Sequence, residues 1–523
     1  MDISKFFRFE WTFYILPMVV GVLAGFGAIA FRTLTGFVHN IAMEGRFGFL
    51  VNEHEPLHSI WGYGTFLVPA VGFVLVVFLL RKYSPESQGH GVPEVMAAVY
   101  TNKGRIPGRV AVFKTIASAL TIGSGGSAGD EGPIVQIGAS LGSVVGQRLH
   151  LSGIETITLL GCGSAAGIAA IFNAPLGGIL FAVELILPEF SVRTMVPLAL
   201  STSISTYVSR YFLGNEPAFS VPHYALTSGY ELPLYILLGI FVGIVAIFYI
   251  KMLHAVEGAF SRWKAPVYAK PVVGGLAVGV LGVAMYHVYG QFFVYGVGYS
   301  TMSTILSGTA GYTVLFLLLL TIMKMATTSI TLGCGGSGGI LAPSLFVGAS
   351  LGAAFGTAAG MVFPGIEPIA YANVGMGAML GGMTGASLTA IILFFEITRD
   401  YSIILPLTMG VFLTRAFVHH HHEGTIYELA LLRRGIRIPH ERAIDTLSIV
   451  PVKDVMDRYE GEEGLLEIYQ YAPVLDALVI MNEKRVNDIA VVNKSGTPVG
   501  IVHKDDILYF YTRERVMARK HLG

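Results

Sequence analysis

The chain has 523 residues, no formal net charge at pH 7, 53% hydrophobic residues and only 13% charged residues, and its mean hydropathy is +0.64. Soluble domains carry roughly 25% charged residues, so this composition excludes a soluble protein and predicts an integral membrane protein. A balanced charge also gives no reason to expect a nucleic-acid partner.

Apolar runs follow one another along most of the chain and predict an all-α polytopic membrane protein. Several runs are shorter than the roughly 20 residues that a helix needs to cross a membrane, so we expect partial and re-entrant helices besides complete spans. The runs lie near residues 14–30, 64–80, 111–122, 155–187, 194–206, 233–253, 272–288, 313–330, 340–363, 374–397 and 402–418.

Basic residues flank the apolar part at both ends. Lys5 and Arg8 precede the first run, without a small-residue cleavage site after them, and the last run is followed by Arg433, Arg434 and Arg437. Because segments rich in Lys and Arg stay on the cytoplasmic side, we expect both termini in the cytoplasm. The prediction is a multi-pass protein of the cell membrane, and specifically of a prokaryotic inner membrane.

One unusual stretch occurs twice, about 210 residues apart. Residues 123–142 and 333–352 agree at 11 of 20 positions when aligned without gaps. Each copy is a glycine-rich loop followed by Pro133 or Pro343, and proline is tolerated in the first turn of a helix. The free N–H groups and partial positive charge of a helix N-terminus attract anions. Two broken helices inside a membrane protein therefore predict a buried anion site.

A second pair of segments extends the duplication. Residues 163–190 match residues 375–402 at an offset of 212, which places Glu184 opposite Glu396. Because both glutamates occupy equivalent places, we interpret them as polar anchors between helices. The small residues in both segments fit close helix packing within a subunit or between subunits.

The chain is predicted to consist of two membrane halves, residues 1–215 and 216–431, and a cytoplasmic tail, residues 432–523. Charged residues return in the tail, and no apolar run there is long enough to span a membrane. A helical face near Val474 and two short β-branched runs separated by a turn predict a small α+β module over about 448–512.

Five segments resemble the signatures of the CLC family of chloride channels and proton-coupled chloride antiporters, and the tail resembles a cystathionine-β-synthase (CBS) domain, present here in a single copy. The resemblance implies a homodimer in membrane lipids, with one anion pathway in each subunit and two inverted halves per subunit. The segments are GHGVPE (89–94), GSAGDEGPIVQIGASLG (126–142), FNAPLGGILFAVE (172–184), GGILAPSLFVGASLG (338–352) and GTIYELALLRRG (424–435).

The resemblance also implies roles for individual residues. The gating glutamate of the family corresponds to Glu131. An ionised carboxylate there would compete with chloride for the same donors, and a protonated one would release them. The alternative is a helix N-terminal carboxylate that the dipole stabilises. For the central tyrosine the alternative is a core aromatic residue. The anion-binding positions are expected at His90, Gly129, Gly132, Ile340, Leu341 and Tyr427.

Three positions depart from the family pattern. His90 stands where the family usually has a small hydroxyl residue, and it is either a structural histidine or an anion donor that protonation strengthens. Leu185 stands where the antiporters often carry a second glutamate that accepts protons. Asp130 replaces a basic residue that is common before the gate, which makes that approach less attractive to anions.

The predicted function is passage of chloride or a similar small anion, with protons as a possible second substrate. No chemical bond is made, so we expect no enzyme, no cofactor and no metal, only bound chloride. Because Leu185 cannot bind a proton, a passive channel is favoured over a Cl⁻/H⁺ antiporter. A distant alternative is a nucleotide-sensing receptor without flux.

Two further expectations concern polar segments outside the two repeats. In the tail, an adenine nucleotide is expected to bind near His503 and Asp506. The run His419–His422 is interpreted as a natural polar stretch, with adventitious metal binding as the lesser option.

Overall fold

The computed structural model describes residues 11–49, 51, 55–187, 191–215, 231–308, 311–436, 451–457 and 465–511. Lys5, Arg8 and Arg437, on which part of the predicted orientation rests, lie outside the described residues. Contacts between Cα atoms divide the chain into two compact units, Met1–Ile438 and Pro439–Gly523. Each unit is described by itself.

The first unit is helical throughout its described part. Its first half contains α1 Leu16–His39, α2 Val68–Tyr83, α3 Val92–Thr101, α4 Arg109–Gly123, α5 Glu131–Arg148, α6 Gly153–Phe172, α7 Pro175–Phe181 and α8 Val192–Leu213. Its second half contains α9 Glu231–Arg262, α10 Ala269–Tyr289, α11 Tyr299–Ser307, α12 Val314–Gly333, α13 Leu341–Gly360, α14 Pro368–Thr384, α15 Ser387–Thr398, α16 Ile404–His421 and α17 Ile426–Leu432.

Seven helical stretches of the described chain are long and apolar enough to cross a membrane. The apolar helices Pro175–Ile186 and Ser387–Thr398 are shorter than a full crossing requires. The chain is therefore a multi-pass membrane protein, and the prediction of partial helices among complete ones is confirmed.

The two glycine-rich loops interrupt the helices at equivalent places. Helix α4 ends at Gly123 and α5 begins at Glu131, while α12 ends at Gly333 and α13 begins at Leu341. The backbone turns back at a glycine with φ of +92° in the first loop and +110° in the second, Gly125 and Gly335. Other residues rarely adopt such angles, so glycine is required at both turns.

Small residues pack the helices of each half closely together. A Cβ atom on Gly138 of α5 would lie 2.0 Å from the carbonyl oxygen of Gly163 on α6. The equivalent Gly348 of α13 would meet the carbonyl oxygen of Gly375 on α14 at 2.3 Å. These glycines therefore serve helix packing within the subunit.

The glutamates of the second repeated segment cap helices of the opposite half. Glu184 accepts hydrogen bonds from the backbone N–H groups of Leu388 at 3.1 Å and Thr389 at 2.7 Å, at the start of α15. Glu396 accepts from Leu176 at 3.1 Å and Gly177 at 2.6 Å, at the start of α7. Both carboxylates join the two halves, as the interpretation of polar anchors predicts.

The second unit is a small α+β module. It contains β1 Glu467–Tyr469, α18 Val474–Lys484, β2 Asp488–Val492 and β3 Pro498–His503. Strand β2 pairs in parallel with β1 and antiparallel with β3. The predicted helix and the two β-branched runs are confirmed, and their apolar side chains form one buried core around Val474, Met481, Ile489, Val491 and Val502.

Candidate anion site between two broken helices

The two glycine loops meet each other through a short antiparallel bridge. The amide of Gly129 donates to the carbonyl oxygen of Gly339 at 2.8 Å, and the amide of Gly339 donates back to Gly129 at 2.6 Å. The two glycines are 210 positions apart, the same offset that relates the repeats. Because each glycine pairs with its own counterpart, the local two-fold axis that relates the two repeats passes between them.

A hydroxyl group near the end of α4 and another near the end of α12 each accept a hydrogen bond from the glycine loop of the other repeat. The amide of Ser127 donates to Oγ1 of Thr331 at 3.1 Å, and the amide of Ser337 donates to Oγ1 of Thr121 at 2.9 Å. All four residues are buried. A buried amide without a partner is costly, so these bonds satisfy the loop backbone and leave the helix N-termini directed to the site.

Glu131, the predicted gate, is the first residue of α5 and is fully buried. A Cβ atom on Gly129 would lie 2.3 Å from Oε2 of Glu131 and 3.2 Å from the amide nitrogen of Ala342. The carboxylate therefore lies beside the first turn of α13. Neither of its oxygens makes a hydrogen bond of full geometry among the described residues, but the backbone N–H groups of Glu131 and Ala342 lie close enough to stabilise its charge.

The predicted backbone donors stand at the start of α13. Ile340 is its N-cap residue and Leu341 its first residue, and both are buried. The first N–H groups of a helix have no acceptor within the helix. The amides of these two residues are thus available to an anion at the position that the resemblance predicts.

Tyr427 lies in the first turn of α17 and is almost completely buried. Thr425 caps this helix, since its hydroxyl accepts from the amide of Glu428 at 3.3 Å. The phenol group lies within electrostatic range of the carboxylates of Glu131 and Glu94. The structure thus brings Tyr427 to the side of the predicted gate.

The backbone of His90 packs against the start of α5. A Cβ atom on Gly132 would lie 2.1 Å from the carbonyl oxygen of His90, so only glycine allows this close approach. The ring of His90 is directed to α9, where its Nε2 lies 2.7 Å from Oε1 of Glu257. Sequence reasoning missed Glu257, because it stands in no motif and far from His90 in the chain.

A cavity of about 690 Å³ opens at His90 and Glu257, and we call it the His90 mouth. Four cationic side chains also line it, so the cavity attracts anions. They are Arg81, Lys270, Arg433 and Arg434.

A smaller cavity of about 160 Å³ includes Tyr299, and we call it the Tyr299 mouth. The hydroxyl of Tyr299 donates to Oδ1 of Asp130 at 3.0 Å, in the residue before the predicted gate. This bond joins the carboxylate of Asp130, the third departure from the family pattern, to a residue that lines the cavity.

Two buried lysines behind the mouths were also missed. Lys114 of α4 donates to the carbonyl oxygen of Gly89 at 2.7 Å, next to His90. Lys324 of α12 donates at 2.9 Å to the carbonyl oxygen of Gly296, which lines the Tyr299 mouth. Both are fully buried and related by the offset of 210. That shared offset is the signal by which the sequence could have revealed them.

Leu185 packs in the apolar core of the first unit. It lies in the turn Ala182–Ile186 after α7 and is buried. The position at which the antiporters often carry a proton acceptor is therefore apolar and closed to water.

In the second unit, the two residues predicted for nucleotide binding lie together. His503 and Asp506 are joined by Asp457, with ligand atoms within 4.8 Å of one another. Oδ1 of Asp488 lies 2.6 Å from Nδ1 of His503 and orients the ring. Among the described residues, these three side chains form the candidate metal group, and the run His419–His422 at the end of α16 forms none.

The membrane part and the tail both match known families. The family model described as voltage gated chloride channel matches residues 72–419, and the CBS domain model matches residues 452–513. A ClcB-like protein of Ralstonia nicotianae, whose name describes a chloride channel, is 32% identical over 385 residues, 71% of this chain and 87% of the relative.

The H⁺/Cl⁻ exchange transporter ClcA of Salmonella paratyphi A is 34% identical over 401 residues, 75% of this chain and 82% of the relative. The crystal structure of a slow cyanobacterial Cl⁻/H⁺ antiporter superposes with a TM-score of 0.70 at 24% identity, over 81% of this chain and 98% of that one. This likeness supports the fold. Since the family model covers more than half of the sequence, the chain belongs to the voltage-gated chloride channel (CLC) family and carries a CBS domain in its tail.

Proposed function

We propose that the protein exchanges chloride for protons across its membrane, with Glu131 as the gate. The observation that carries the proposal is the buried carboxylate of Glu131, which lies against the first turn of α13 beside the backbone N–H of Ala342. The relatives named as H⁺/Cl⁻ exchange transporters favour this alternative over the passive channel that we favoured from the sequence.

The gate works by competition for the same donors. An ionised Glu131 occupies the helix N-termini that would otherwise hold chloride. A protonated side chain loses this attraction and leaves the donors of Ile340 and Leu341 to the anion. The side chain of Glu131 therefore either occupies the chloride position or carries a proton and leaves that position to chloride. This exclusion links the movement of the two ions.

The test is a flux measurement on purified protein in liposomes, with chloride and proton gradients set independently. The reversal potential of an exchanger depends on both gradients, whereas that of a channel depends on the chloride gradient alone. Glu131→Gln should keep chloride flux and lose all dependence on pH and on the proton gradient. A wild-type reversal potential that does not depend on the proton gradient would show that the protein is a passive channel.

A matched control separates a gate from an ordinary helix-terminal carboxylate. Glu155 stands in the first turn of α6, where its Oε2 accepts from the amide of Ser152 at 2.8 Å. Glu155→Gln removes the same type of charge from a helix N-terminus outside the site. It should leave coupling unchanged, and an equal loss in both variants would remove Glu131 from the gate role.

We also propose a homodimer in a cell membrane, with both termini in the cytoplasm. The proposal follows the family resemblance and the cations that come after the last membrane helix, Arg433 and Arg434. Cross-linking in native membranes and protease access to the tail from either side test it.

For the tail we propose binding of an adenine nucleotide beside β3. Asp457 and Asp506 present carboxylates near His503, and carboxylates accept hydrogen bonds from ribose hydroxyls. ATP should change the flux of the full-length protein, and Asp506→Asn should weaken the effect. Asp505→Asn changes the exposed neighbour and should not. Flux that ignores ATP would leave the tail with a structural role.

A further inference from the structure

We propose that Glu257 and His90 form a proton-binding pair at the His90 mouth, in place of the carboxylate that this chain lacks at Leu185. The proposal rests on the proposed exchange of chloride for protons and assigns the second proton site of that exchange. Glu257 comes from α9, in the second half, and meets His90 only through the tertiary fold.

The two oxygens of Glu257 have separate partners. Oε1 lies 2.7 Å from Nε2 of His90, and Oε2 lies 3.1 Å from Nδ1 of His254 on the same helix. Nε2 of His254 has no hydrogen-bond partner in the described part of the chain, so the tautomer with its proton on Nδ1 fits this contact. His254 therefore orients the carboxylate, while His90 shares a proton with it.

The pair bridges the cavity and the buried site. The side chain of Glu257 is 24% exposed and that of His90 is 10% exposed, so a proton from cavity water reaches the carboxylate first. The backbone of His90 touches Gly132, the residue after the predicted gate. His90 thus lines the cavity and also packs against the start of α5.

The charges around the pair come from α2, α3, α4, α10 and the segment after α17. Arg433 after α17 places Nη1 3.9 Å from Oε2 of Glu257, and Arg434 is bound to Glu94 of α3 at 2.5 Å. Lys114 of α4 stands behind the loop of His90. The cavity wall adds two more cations, Arg81 and Lys270. Among these groups Glu257 is the carboxylate bonded to His90, since Glu94 is held by Arg434.

The proton moves without any other bond change. A hydronium ion in the cavity gives its proton to Oε1 of Glu257 and becomes water. With the ring proton of His90 on Nδ1, the new proton passes along the 2.7 Å contact to Nε2, which leaves a protonated ring and an ionised carboxylate. Histidine changes charge near neutral pH. A positively charged ring in the wall of the His90 mouth is stabilised by a chloride ion in that mouth. Proton and chloride therefore favour each other's binding at this mouth.

The alternative is a purely structural pair that holds α9 against the loop before α3. Both readings predict lower stability when the contact is lost, so stability alone does not separate them. Glutamine at position 257 separates them, because its amide occupies the same space as the carboxylate and keeps a hydrogen bond but cannot carry the proton.

The test compares Glu257→Gln and His90→Gln with wild type in liposomes. Glu257→Gln should keep chloride flux and bind chloride in calorimetry, and both variants should lose most of the shift that a proton gradient causes in the reversal potential. Glu257→Asp keeps a titratable group and should restore part of that shift. Glu86→Gln is the control, because Glu86 is a 29% exposed carboxylate bonded to Arg109 outside the mouth; it should keep the full shift.

The outcomes separate the two proposals. A wild-type shift that persists in both glutamine variants overturns the pair and leaves exchange through Glu131 intact. A wild type without any shift overturns both proposals. Loss of coupling together with loss of chloride binding in calorimetry would mark the pair as structural and also overturn the inference.

Discussion

Gly129 and Gly339 donate a backbone hydrogen bond to each other, at 2.8 and 2.6 Å, although 210 residues separate them in the chain. Each is the other's counterpart in the duplicated sequence. The bridge brings the start of α5 and the start of α13 close together. The carboxylate of Glu131 lies between these two helix N-termini. Four changes test what this arrangement requires.

Gly129→Ala should displace the gate without unfolding the protein. Its Cβ atom would lie 2.3 Å from Oε2 of Glu131, which is the movable end of a long side chain. The carboxylate has to leave its place, so chloride flux should lose much of its pH dependence, as in Glu131→Gln. Flux in liposomes across a pH series measures this.

Gly132→Ala is the contrasting variant on the same turn. Its Cβ atom would lie 2.1 Å from the carbonyl oxygen of His90 and 2.9 Å from Cα of Gly339. Because backbone atoms cannot move aside as a side chain can, the free energy of unfolding should fall by about 1–3 kcal/mol. Equal melting temperatures for the two alanine variants in detergent would contradict the close packing of Gly132 against the backbone of His90 and Gly339.

Thr121→Val and Thr331→Val should destabilise the protein equally. Each removes the acceptor of one loop amide, that of Ser337 or Ser127. A buried N–H left without a partner costs about 1–3 kcal/mol. Thermal unfolding in detergent should show similar drops.

The control for this pair is Thr115→Val. The hydroxyl of Thr115 donates to Ala111 of its own helix, so its loss leaves no loop amide unsatisfied. A clear difference between Thr121→Val and Thr331→Val would argue against equivalent roles for the two loops.

Glu184→Gln and Glu396→Gln should lower stability and leave proton coupling intact. Each carboxylate accepts two backbone hydrogen bonds from the opposite half, whereas a glutamine side chain offers one acceptor oxygen. Loss of a charge-assisted bond costs roughly 1.5–3 kcal/mol. A lost reversal-potential shift in Glu184→Gln alone would give that residue a proton role.

The tail should respond to pH through His503. The hydrogen bond that the ring of His503 donates to Asp488 raises the pKa of His503 above its ordinary value. Because the folded state binds the proton more tightly, this stabilisation is complete below the ordinary pKa of about 6.5 and is lost as pH rises through the raised pKa.

Hydrogen-exchange protection of the β3 amides in the full-length protein measures this effect. Protection should fall with rising pH in wild type, after correction for the intrinsic exchange rate. Asp488→Asn and His503→Gln should both flatten the dependence. An unchanged profile in His503→Gln would assign the pH response to another group.

The sequence by itself determined the features that depend on neighbouring residues. A glycine loop with proline in the first turn specifies a helix N-terminus locally, so α5 and α13 could be predicted, and the fixed offset between the copies predicted two related halves. The positions of Glu131, Ile340 and Leu341 at those N-termini followed from the same pattern.

Only the tertiary structure decided which groups meet across the chain. The exchange of caps between Glu184 and Glu396, and the contact of Glu257 with His90, join helices from opposite halves. No local signal encodes such a partner, because a side chain's neighbour depends on which helix packs alongside it. Helix packing is governed by small-residue faces that recur throughout this chain, and their periodicity is compatible with many pairings until the whole bundle is assembled.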